Sequence, residues 1–300
     1  MTGRREQKRF SPAKSLGQNF LIDPSVCEAI VEAATIGPED LVIEIGPGMG
    51  ALTRLEAKKA KKVLAIELDR RLMPHLQKLE AQLGNFRAIQ ADILHIDLLP
   101  LIAEGQAEGC RGVKIIGNLP YYITTPILMK LVEADLPADA IIVMMQKEVA
   151  ERISALPGGR TYGAVSVAIQ YRCDVETVLS VSRTCFRPIP HVDSTVLRLN
   201  IREEKLTTPR DEAMLFRVVR AAFGKRRKIL LNALGGTGFT KEEIGVALEK
   251  AGIEKNRRAE TLSIEDFTRL ADAFTELSDV GTDQVNMGTG LTDPDEVGTI

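Results

Sequence analysis

Three chemically distinctive features in this sequence stand where predicted strands end. Residues 44–50 read Glu-Ile-Gly-Pro-Gly-Met-Gly directly after the first predicted strand, and such glycines allow a sharp turn and close approach to a ligand. Glu67 ends the second strand, where a carboxylate can accept both hydrogen bonds of a ribose diol. Asp92 follows the third, where a carboxylate can accept from an adenine amino group. Together they predict a nucleoside cofactor site, and the glycine turn is compatible with NAD, FAD or S-adenosylmethionine.

The fourth predicted strand ends in Asn118-Leu119-Pro120-Tyr121, which narrows the choice of cofactor. Methyl transfer to an exocyclic amine needs such a segment, because the lone pair of adenine N6 is delocalised into the ring. We expect the Asn118 side-chain oxygen and the Leu119 carbonyl to accept the two N6 hydrogens, which turns the lone pair towards a methyl donor. Pro120 stiffens the loop and Tyr121 offers a ring face to the base. Asn118, Leu119 and Tyr121 are therefore predicted to be catalytic.

Two further segments predict contacts with a nucleic acid. Residues 186–194 read FRPIPHVDS, in which two prolines stiffen a loop and Phe186 is expected to sandwich a flipped base against Tyr121. Residues 222–229 read AFGKRRKI, a basic cluster suited to phosphate groups. The predicted substrate-binding residues are Phe186, Tyr121, Lys225, Arg226, Arg227 and Lys228. The alternative for Phe186 is a core residue of a hairpin, and the alternative for the basic cluster is a solvated surface.

Short β-branched runs alternate with amphipathic stretches through the first two thirds of the chain. The predicted strands are 41–45, 63–68, 86–90, 114–117, 140–145, 177–181 and 195–199. The predicted helices are near 51–60, 70–82, 97–107, 124–135, 146–153 and 164–171. This alternation predicts an α/β fold with a doubly wound, mostly parallel, Rossmann-like sheet covered on both faces. The last two strands are expected to form an antiparallel pair at one sheet edge.

The pattern changes near residues 202–210, which are predicted to be a linker. Beyond them, helices are predicted at 211–223, 226–234, 240–251 and 263–274. Thr240 with Glu243, and Ser263 with Asp266, have the spacing of capping boxes. The predicted domains are a cofactor-binding domain at 1–205, a small all-helical domain at 206–275 and a disordered acidic tail at 276–300.

The net charge of −2, from 39 Lys and Arg against 41 Asp and Glu, hides an uneven distribution. Residues 276–300 hold six acids and neither Lys nor Arg, so the rest of the chain is mildly basic. Basic residues are concentrated at 4–14 and 217–228. Such blocks favour a nucleic-acid partner, which the total charge alone argues against.

Composition and spacing exclude several classes of protein. The longest uninterrupted apolar run, Ala140 to Met145, is far shorter than the ~20 residues of a transmembrane helix. The charged N-terminus precedes no apolar stretch, so neither a signal peptide nor membrane association is expected. The 4 cysteines have no CxxC spacing and the 3 histidines are far apart, so we expect a cytoplasmic protein without a metal site. The sequence has no strong signal for oligomerisation, and we expect a monomer.

Nine stretches, taken together, resemble the bacterial small-subunit ribosomal RNA adenine dimethyltransferase A family and its eukaryotic relatives. They are KSLGQNFL (14–21), EIGPGMGALT (44–53), IELD (66–69), QADIL (90–94), GNLPYYITTPI (117–127), MMQKEVAERI (144–153), TYGAVSV (161–167), FRPIPHVDS (186–194) and AFGKRRKIL (222–230). The resemblance covers about residues 8 to 275, in the family's order. Two parts depart from the family's pattern, namely RLEAKKAKK after Thr53 and the acidic tail.

The resemblance implies transfer of four methyl groups from S-adenosylmethionine to two adjacent adenosines. These lie in the hairpin loop near the 3′ end of 16S ribosomal RNA, in the immature small ribosomal subunit. It also implies a seven-stranded methyltransferase sheet and a role in small-subunit biogenesis. The cofactor residues that it implies are Asn19, Leu21, Gly46, Glu67, Asp92 and Asn118. For Asn19 and Leu21 the resemblance is the sole support.

Three other functions stay open on the sequence. A related large-subunit adenine methyltransferase that confers macrolide resistance shares the catalytic domain, and FRPIPHVDS and AFGKRRKIL favour the small-subunit family over it. A non-catalytic assembly factor that binds ribosomal RNA is a second alternative, against which the intact Asn118 segment, Glu67 and Asp92 argue. A dinucleotide-dependent dehydrogenase is the third.

Overall fold

The computed structural model describes residues 17–225 and 227–287, with side chains described up to residue 279. It divides into two compact units. One contains the described residues up to Ala155 together with Ala168–Lys205. The other contains Leu156–Val167 together with the described residues from Leu206 onward.

The part of the chain up to Lys205 alternates strands and helices. Its strands are β1 (Phe20–Leu21), β2 (Asp40–Ile45), β3 (Lys62–Glu67), β4 (Phe86–Gln90), β5 (Gly112–Asn118), β6 (Ala140–Gln146), β7 (Cys173–Val181), β8 (Phe186–Arg187) and β9 (Ser194–Ile201). Its helices are α1 (Pro24–Ala33), α2 (Thr53–Glu56), α3 (Met73–Leu83), α4 (Leu99–Ala107), α5 (Thr124–Glu133), α6 (Lys147–Ile153) and α7 (Ala164–Arg172).

Seven strands form one sheet in the order β4-β3-β2-β5-β6-β9-β7. Neighbours from β4 to β6 are parallel, β9 is antiparallel to β6, and β7 is antiparallel to β9. The predicted doubly wound, mostly parallel sheet and its antiparallel edge pair are therefore confirmed. The chain order reverses between β2 and β5, and in such sheets a crevice opens at the carboxyl ends of the strands on either side of the reversal.

The central strands have almost no polar residues because the core surrounds them on both faces. Leu41, Val42 and Ile43 in β2 are completely buried, as are Ile141 and Ile142 in β6. Runs of consecutive buried residues of this kind are typical of parallel strands and predict them from sequence. Six of the seven predicted strands both begin and end within two residues of the observed bounds. The exception is β7, which begins four residues earlier than predicted.

The N-terminal elements were not predicted, and the predicted length of α2 is wrong. Helix α1 is capped by Asp23, whose carboxylate accepts from the backbone N–H of Ser25 and Val26, and Pro24 is its first residue. Strands β1 and β8 form a separate two-stranded sheet, which pairs Phe20 with Arg187 and Leu21 with Phe186. Helix α2 spans only Thr53–Glu56 of the predicted 51–60.

The second unit contains helices and no strand among its described residues, as predicted. Its helices are α8 (Glu212–Gly224), α9 (Leu230–Ala233), α10 (Lys241–Lys250) and α11 (Ile264–Met287). Both predicted capping boxes are present: the Thr240 hydroxyl and Glu243 carboxylate each accept from the other's backbone N–H. Ser263 and Asp266 do the same at the start of α11. These caps satisfy N–H groups that a helix start leaves without partners.

Two of the predicted domain boundaries are corrected. Residues 156–167 belong to the second unit, although they lie within the predicted 1–205 domain. Helix α11 continues to Met287, so the predicted disorder of 276–300 is wrong for residues 276–287. The extension is stabilised by Glu276, whose carboxylate lies 3.0 Å from Arg210 Nη1 and 3.3 Å from Lys250 Nζ. The rest of the predicted tail, 288–300, lies outside the described residues.

Candidate active site

The glycine turn after β2 is shaped by three left-handed residues. Gly46, Gly48 and Gly50 have φ values of 70°, 57° and 77°, which side chains other than glycine rarely adopt. A Cβ on Gly48 would lie 2.9 Å from the ring of Phe20, so glycine is also required there by the close approach of the N-terminal segment. The turn therefore needs glycine for both its conformation and its contacts.

Glu67 is the buried carboxylate at the carboxyl end of β3. It is 6% exposed and accepts from the backbone N–H of Asp69 at 2.8 Å and of Gly48 at 3.3 Å. Burial raises the pKa of Glu67 above its ordinary value, while these two N–H groups act in the opposite direction. Each oxygen has one N–H partner and keeps a lone pair, so the carboxylate can still accept from two hydroxyls.

Asp92 lies just beyond the end of β4 and is about one-third exposed. Its Oδ1 accepts from the backbone N–H of Leu94 at 2.9 Å, and its Oδ2 lies 3.0 Å from His95 Nδ1. The first contact fixes the carboxylate against its own turn. The second partner is a well exposed ring, so it leaves Oδ2 accessible from the cavity side.

Asn118 is the last residue of β5, and its amide is held from the N-terminal side. Its Nδ2 donates to the backbone carbonyl of Asn19 at 3.0 Å. Leu119 is buried and donates its N–H to the Met144 carbonyl at 3.1 Å, while the Pro120 carbonyl accepts from the Thr124 hydroxyl at 3.0 Å. The backbone after the strand is thus fixed on both sides of the proline, which holds Asn118 at one position.

Tyr121 and Tyr122 follow this segment with different surroundings. The Tyr121 hydroxyl lies 2.7 Å from that of Ser194, and burial raises the pKa of Tyr121. Tyr122 is 56% exposed and was not singled out from the sequence. The hydrogen bond to the start of β9 fixes the Tyr121 ring at the edge of the cavity, and the more exposed Tyr122 also lines the cavity.

One cavity collects most of the predicted site residues. It is open to solvent at its mouth and lies where the strand ends meet the N-terminal segment. The predicted residues that line it are Asn19, Leu21, Gly46, Glu67, Asp92, Asn118, Leu119 and Tyr121. The carboxyl ends of β2, β3, β4 and β5 form one wall, and the N-terminal segment forms another. The donor and acceptor set fits S-adenosylmethionine, because a buried carboxylate and a tight glycine turn face the same space.

The predicted role of Phe186 is corrected. Its ring is completely buried, and it belongs to the core cluster that contains Val26 and Val181. Phe186 lies opposite Leu21 in the β1–β8 pair, so this small sheet directs the ring into the core. A buried ring has no free face on which a base can stack, and Phe186 instead holds the N-terminal segment in place.

The predicted basic cluster lies between α8 and α9 in the second unit. Lys225, Arg227 and Lys228 are exposed, and no ion pair with a carboxylate is formed by these three side chains within the described ranges. The Lys225 carbonyl accepts from the Lys228 N–H at 2.8 Å, which makes a tight turn. Arg226 and the basic residues at 4–14 lie outside the described residues.

A pair of buried acids lies beneath the glycine turn and was not predicted. Glu44 and Glu56 are almost completely buried, and the Thr53 hydroxyl donates to Glu44 at 2.5 Å. Burial raises the pKa of Glu44 to about 7, and burial together with the neighbouring Glu44 charge raises the pKa of Glu56 well above its usual value. Both carboxylate oxygens of Glu56 are buried without a hydrogen-bond partner among the described residues, and Glu44 lies nearby, so the neutral form of Glu56 is favoured.

Two absences can be stated for the described parts of the chain. Across residues 17–225 and 227–287, no three His, Cys, Asp or Glu side chains are grouped so that they could hold a metal ion. Among the helices of the same ranges, none combines the length and apolar character needed to cross a membrane.

Known proteins are similar to this chain in sequence and in fold. The family model for ribosomal RNA adenine dimethylase matches residues 9–276. The chain is 48% identical over 268 residues to the ribosomal RNA small subunit methyltransferase A of Clostridioides difficile strain 630, which covers 89% of this chain and 92% of the relative. It is 50% identical over 272 residues to the protein of that name from Bacillus cereus strain AH187, covering 89% and 93%.

Two solved structures are similar over most of the chain. A dimethyladenosine transferase from Plasmodium falciparum has a TM-score of 0.72 at 26% identity, covering 87% of this chain and 98% of that one. The 23S rRNA methyltransferase ErmE has a TM-score of 0.64 at 26% identity, covering 86% and 100%.

The sheet and the strand-end cavity define a Rossmann-like methyltransferase that uses S-adenosylmethionine. Within that class, the chain belongs to the ribosomal RNA adenine dimethylase family. Its activity is therefore dimethylation of adenine N6 in ribosomal RNA.

Proposed function

We propose that this enzyme dimethylates two adjacent adenosines in the 3′-terminal hairpin loop of 16S ribosomal RNA. The observation that carries the proposal is the position of Asn118 at the end of β5, with its nitrogen bound to the Asn19 carbonyl and its oxygen left as an acceptor. The relatives at 48% and 50% identity are named for the small subunit, which supports this subunit as the source of the substrate.

The cofactor is held by the strand ends. Glu67 accepts from the ribose hydroxyls, Asp92 accepts from the adenine amino group, and Gly46 lets the backbone approach the ligand. Asn19 and Leu21 cover it from the N-terminal side. S-adenosylmethionine supplies an electrophilic methyl group on its sulfonium.

The target amine is activated by hydrogen bonding. The Asn118 Oδ1 and the Leu119 carbonyl accept the two N6 hydrogens, which draws the nitrogen lone pair out of the ring and aims it at the methyl donor. Tyr121, fixed through Ser194, provides a ring face for the base. No strong base is needed for the attack, because orientation and acceptor placement lower the barrier. After each transfer the methylated nitrogen is acidic and loses one proton to water, and in the second transfer its one remaining hydrogen is held by one of the two acceptors.

The RNA is positioned by the charge of the basic cluster in the second unit. Lys225, Arg226, Arg227 and Lys228 contact phosphate groups, which fix the register of the RNA without reading its sequence. We infer that the monomeric enzyme acts in the cytoplasm on immature small subunits and contributes to their biogenesis, because the target loop is a part of the subunit being assembled.

Tritiated S-adenosylmethionine supplied with immature small subunits tests this proposal. We expect label in two adjacent adenosines of the 3′-terminal hairpin, with four methyl groups per subunit at completion. Label elsewhere in the subunit, or no label, would contradict it. Asn118→Ala serves as the catalytically impaired control.

A large-subunit substrate is the second candidate, because the 23S rRNA methyltransferase ErmE is similar to this chain over the whole ErmE length, with a TM-score of 0.64. The same assay with 23S ribosomal RNA, together with macrolide susceptibility of cells that express the enzyme, separates the two. We expect no 23S label and unchanged susceptibility.

A further inference from the structure

Residues Gly17–Leu21, here called the N-terminal strap, form the wall of the cavity that faces the sheet. Phe20 lies against the glycine turn, as its distance to a Cβ on Gly48 shows. Gly17, at a φ of 59°, lies against Tyr122, whose Cδ1 would be 3.1 Å from a Cβ there. Leu21 pairs with Phe186 of β8. The strap therefore contacts three separate parts of the first unit, namely the glycine turn, Tyr122 and β8.

A side-chain hydrogen bond joins the strap to the segment that follows β3. Gln18 Nε2 donates to Asp69 Oδ2 at 2.9 Å. Asp69 is 4% exposed and also accepts from Arg71, whose hydrogen bonds lower the pKa of Asp69 to about 2. The carboxylate therefore stays ionised and remains an acceptor for Gln18 throughout the physiological range.

The next strap residue determines which way the catalytic amide points. The Asn19 carbonyl can only accept, so the Asn118 atom that faces it must be the nitrogen, Nδ2. This leaves Oδ1 for the N6 hydrogens of the substrate. A reversed amide would bring its NH₂ group to the substrate NH₂ group, where two donors have no acceptor between them.

Asp69 also reaches the cofactor side of the cavity. Its backbone N–H donates to Glu67 Oε1 at 2.8 Å, while its side chain holds Gln18. One residue thus contacts the carboxylate assigned to the ribose and, through the strap, the amide assigned to the target amine. The two halves of the site are connected through a short chain of hydrogen bonds.

From these contacts we propose that Gln18 and Asp69 are positioning residues for methyl transfer. Their hydrogen bond holds the strap so that the Asn19 carbonyl fixes the orientation of Asn118. The inference rests on the proposed function of Asn118 and assigns a role to two residues that do not touch the reacting atoms. The strap therefore orients a catalytic group in addition to covering the cofactor.

Substitutions of Gln18 test the role of its donor. Gln18→Ala removes the donor, and we expect kcat at saturating cofactor and RNA to fall by about 10- to 100-fold, because misoriented groups lose much of their catalytic effect. Gln18→Lys keeps a donor that can reach Asp69, and we expect it to retain kcat within about threefold. Arg71→Ala removes the other partner of Asp69 and leaves the strap bond, so it serves as the matched control.

Two measurements separate positioning from binding or folding. Calorimetry with S-adenosylhomocysteine should give a Kd for Gln18→Ala within about threefold of the unsubstituted enzyme, because the strand-end contacts remain. Hydrogen exchange of the Asn118 side-chain amide, followed by NMR, should be faster in Gln18→Ala and unchanged in Arg71→Ala. If Gln18→Ala unfolds at a lower temperature, Gln18→Met, which keeps the length without the donor, carries the same test.

Some results would overturn the proposal. A higher KM for the cofactor with an unchanged kcat would make the strap a cofactor cover only. An unchanged Asn118 amide exchange rate in Gln18→Ala would break the connection between Gln18 and Asn118. If the unsubstituted enzyme fails to methylate 16S ribosomal RNA, the proposed function fails, but amide exchange and S-adenosylhomocysteine binding still decide the role of the strap.

Discussion

The two walls of the cavity are built in different ways. The sheet wall carries Gly46, Glu67, Asp92 and Asn118 at the ends of four neighbouring parallel strands, so topology alone brings these residues together. The N-terminal strap is held by a two-residue strand pair and a few side-chain hydrogen bonds. The difference indicates that the sheet wall supplies the binding and catalytic groups, while the N-terminal strap orients one of them, Asn118.

The largest expected effect is at Asn118, where the two walls meet. Asn118→Ala removes the acceptor for N6, and we expect single-turnover methylation to fall by about 100- to 1000-fold with the fold intact. Asn118→Asp keeps an acceptor but loses the donor to Asn19, so we expect a rate between those of Asn118→Ala and the unsubstituted enzyme. If the two variants have equal rates, the acceptor gives no benefit unless the donor to Asn19 is also present.

Glu67 tests the sheet wall alone. Glu67→Gln removes the charge and turns one donor towards a backbone N–H, so we expect the Kd for S-adenosylhomocysteine to rise by about 10- to 100-fold. Calorimetry measures this change, and RNA affinity at constant salt should stay within about twofold as a control. An unchanged Kd would remove Glu67 from the cofactor site.

The smallest effect on activity is expected beneath the sheet wall, at the acid pair. The folded-state pKa values of Glu44 and Glu56 lie above their usual 4.5, so stability from this source is complete below pH 4.5 and is lost as the pH rises through about 7. Replacing Glu56 by an apolar residue of similar volume removes the part of this loss of stability that comes from Glu56. We therefore expect Glu56→Leu to raise the free energy of unfolding at pH 8 by about 1–4 kcal/mol.

Denaturant unfolding between pH 5 and pH 8 measures this effect. Glu32→Gln, which removes an exposed carboxylate from α1, is the matched control and should not alter the slope against pH. A Glu56→Leu protein that loses as much stability over this interval as the unsubstituted protein would exclude Glu56 as a source of the loss.

The same difference between the walls explains how much the sequence could predict. Parallel strands appear as buried β-branched runs, and their carboxyl ends must lie at one edge, so Gly46, Glu67, Asp92 and Asn118 could be grouped from spacing alone. The contacts of the strap depend on long-range hydrogen bonds such as Asn118 to Asn19, which no periodicity reveals. Only the family resemblance pointed to Asn19 and Leu21.

Side-chain direction was the main source of error. Phe186 stands in a proline-rich loop that suggests exposure, but its pairing with Leu21 turns the ring into the core. Glu56 stands between Arg54 and Lys58 in a basic stretch that suggests a solvated face, yet it is completely buried. The tail after residue 275 lacks clear periodicity, and the ion pairs of Glu276 that support helix α11 connect distant parts of the second unit.

A crystal structure with S-adenosylhomocysteine tests the central claim most directly. We expect the ribose hydroxyls on Glu67, the adenine amino group on Asp92, and the Asn118 Nδ2 still bound to the Asn19 carbonyl with Oδ1 open towards the substrate side. A ligand outside this cavity, or an Asn118 side chain released from the strap while the ligand is bound, would contradict the account.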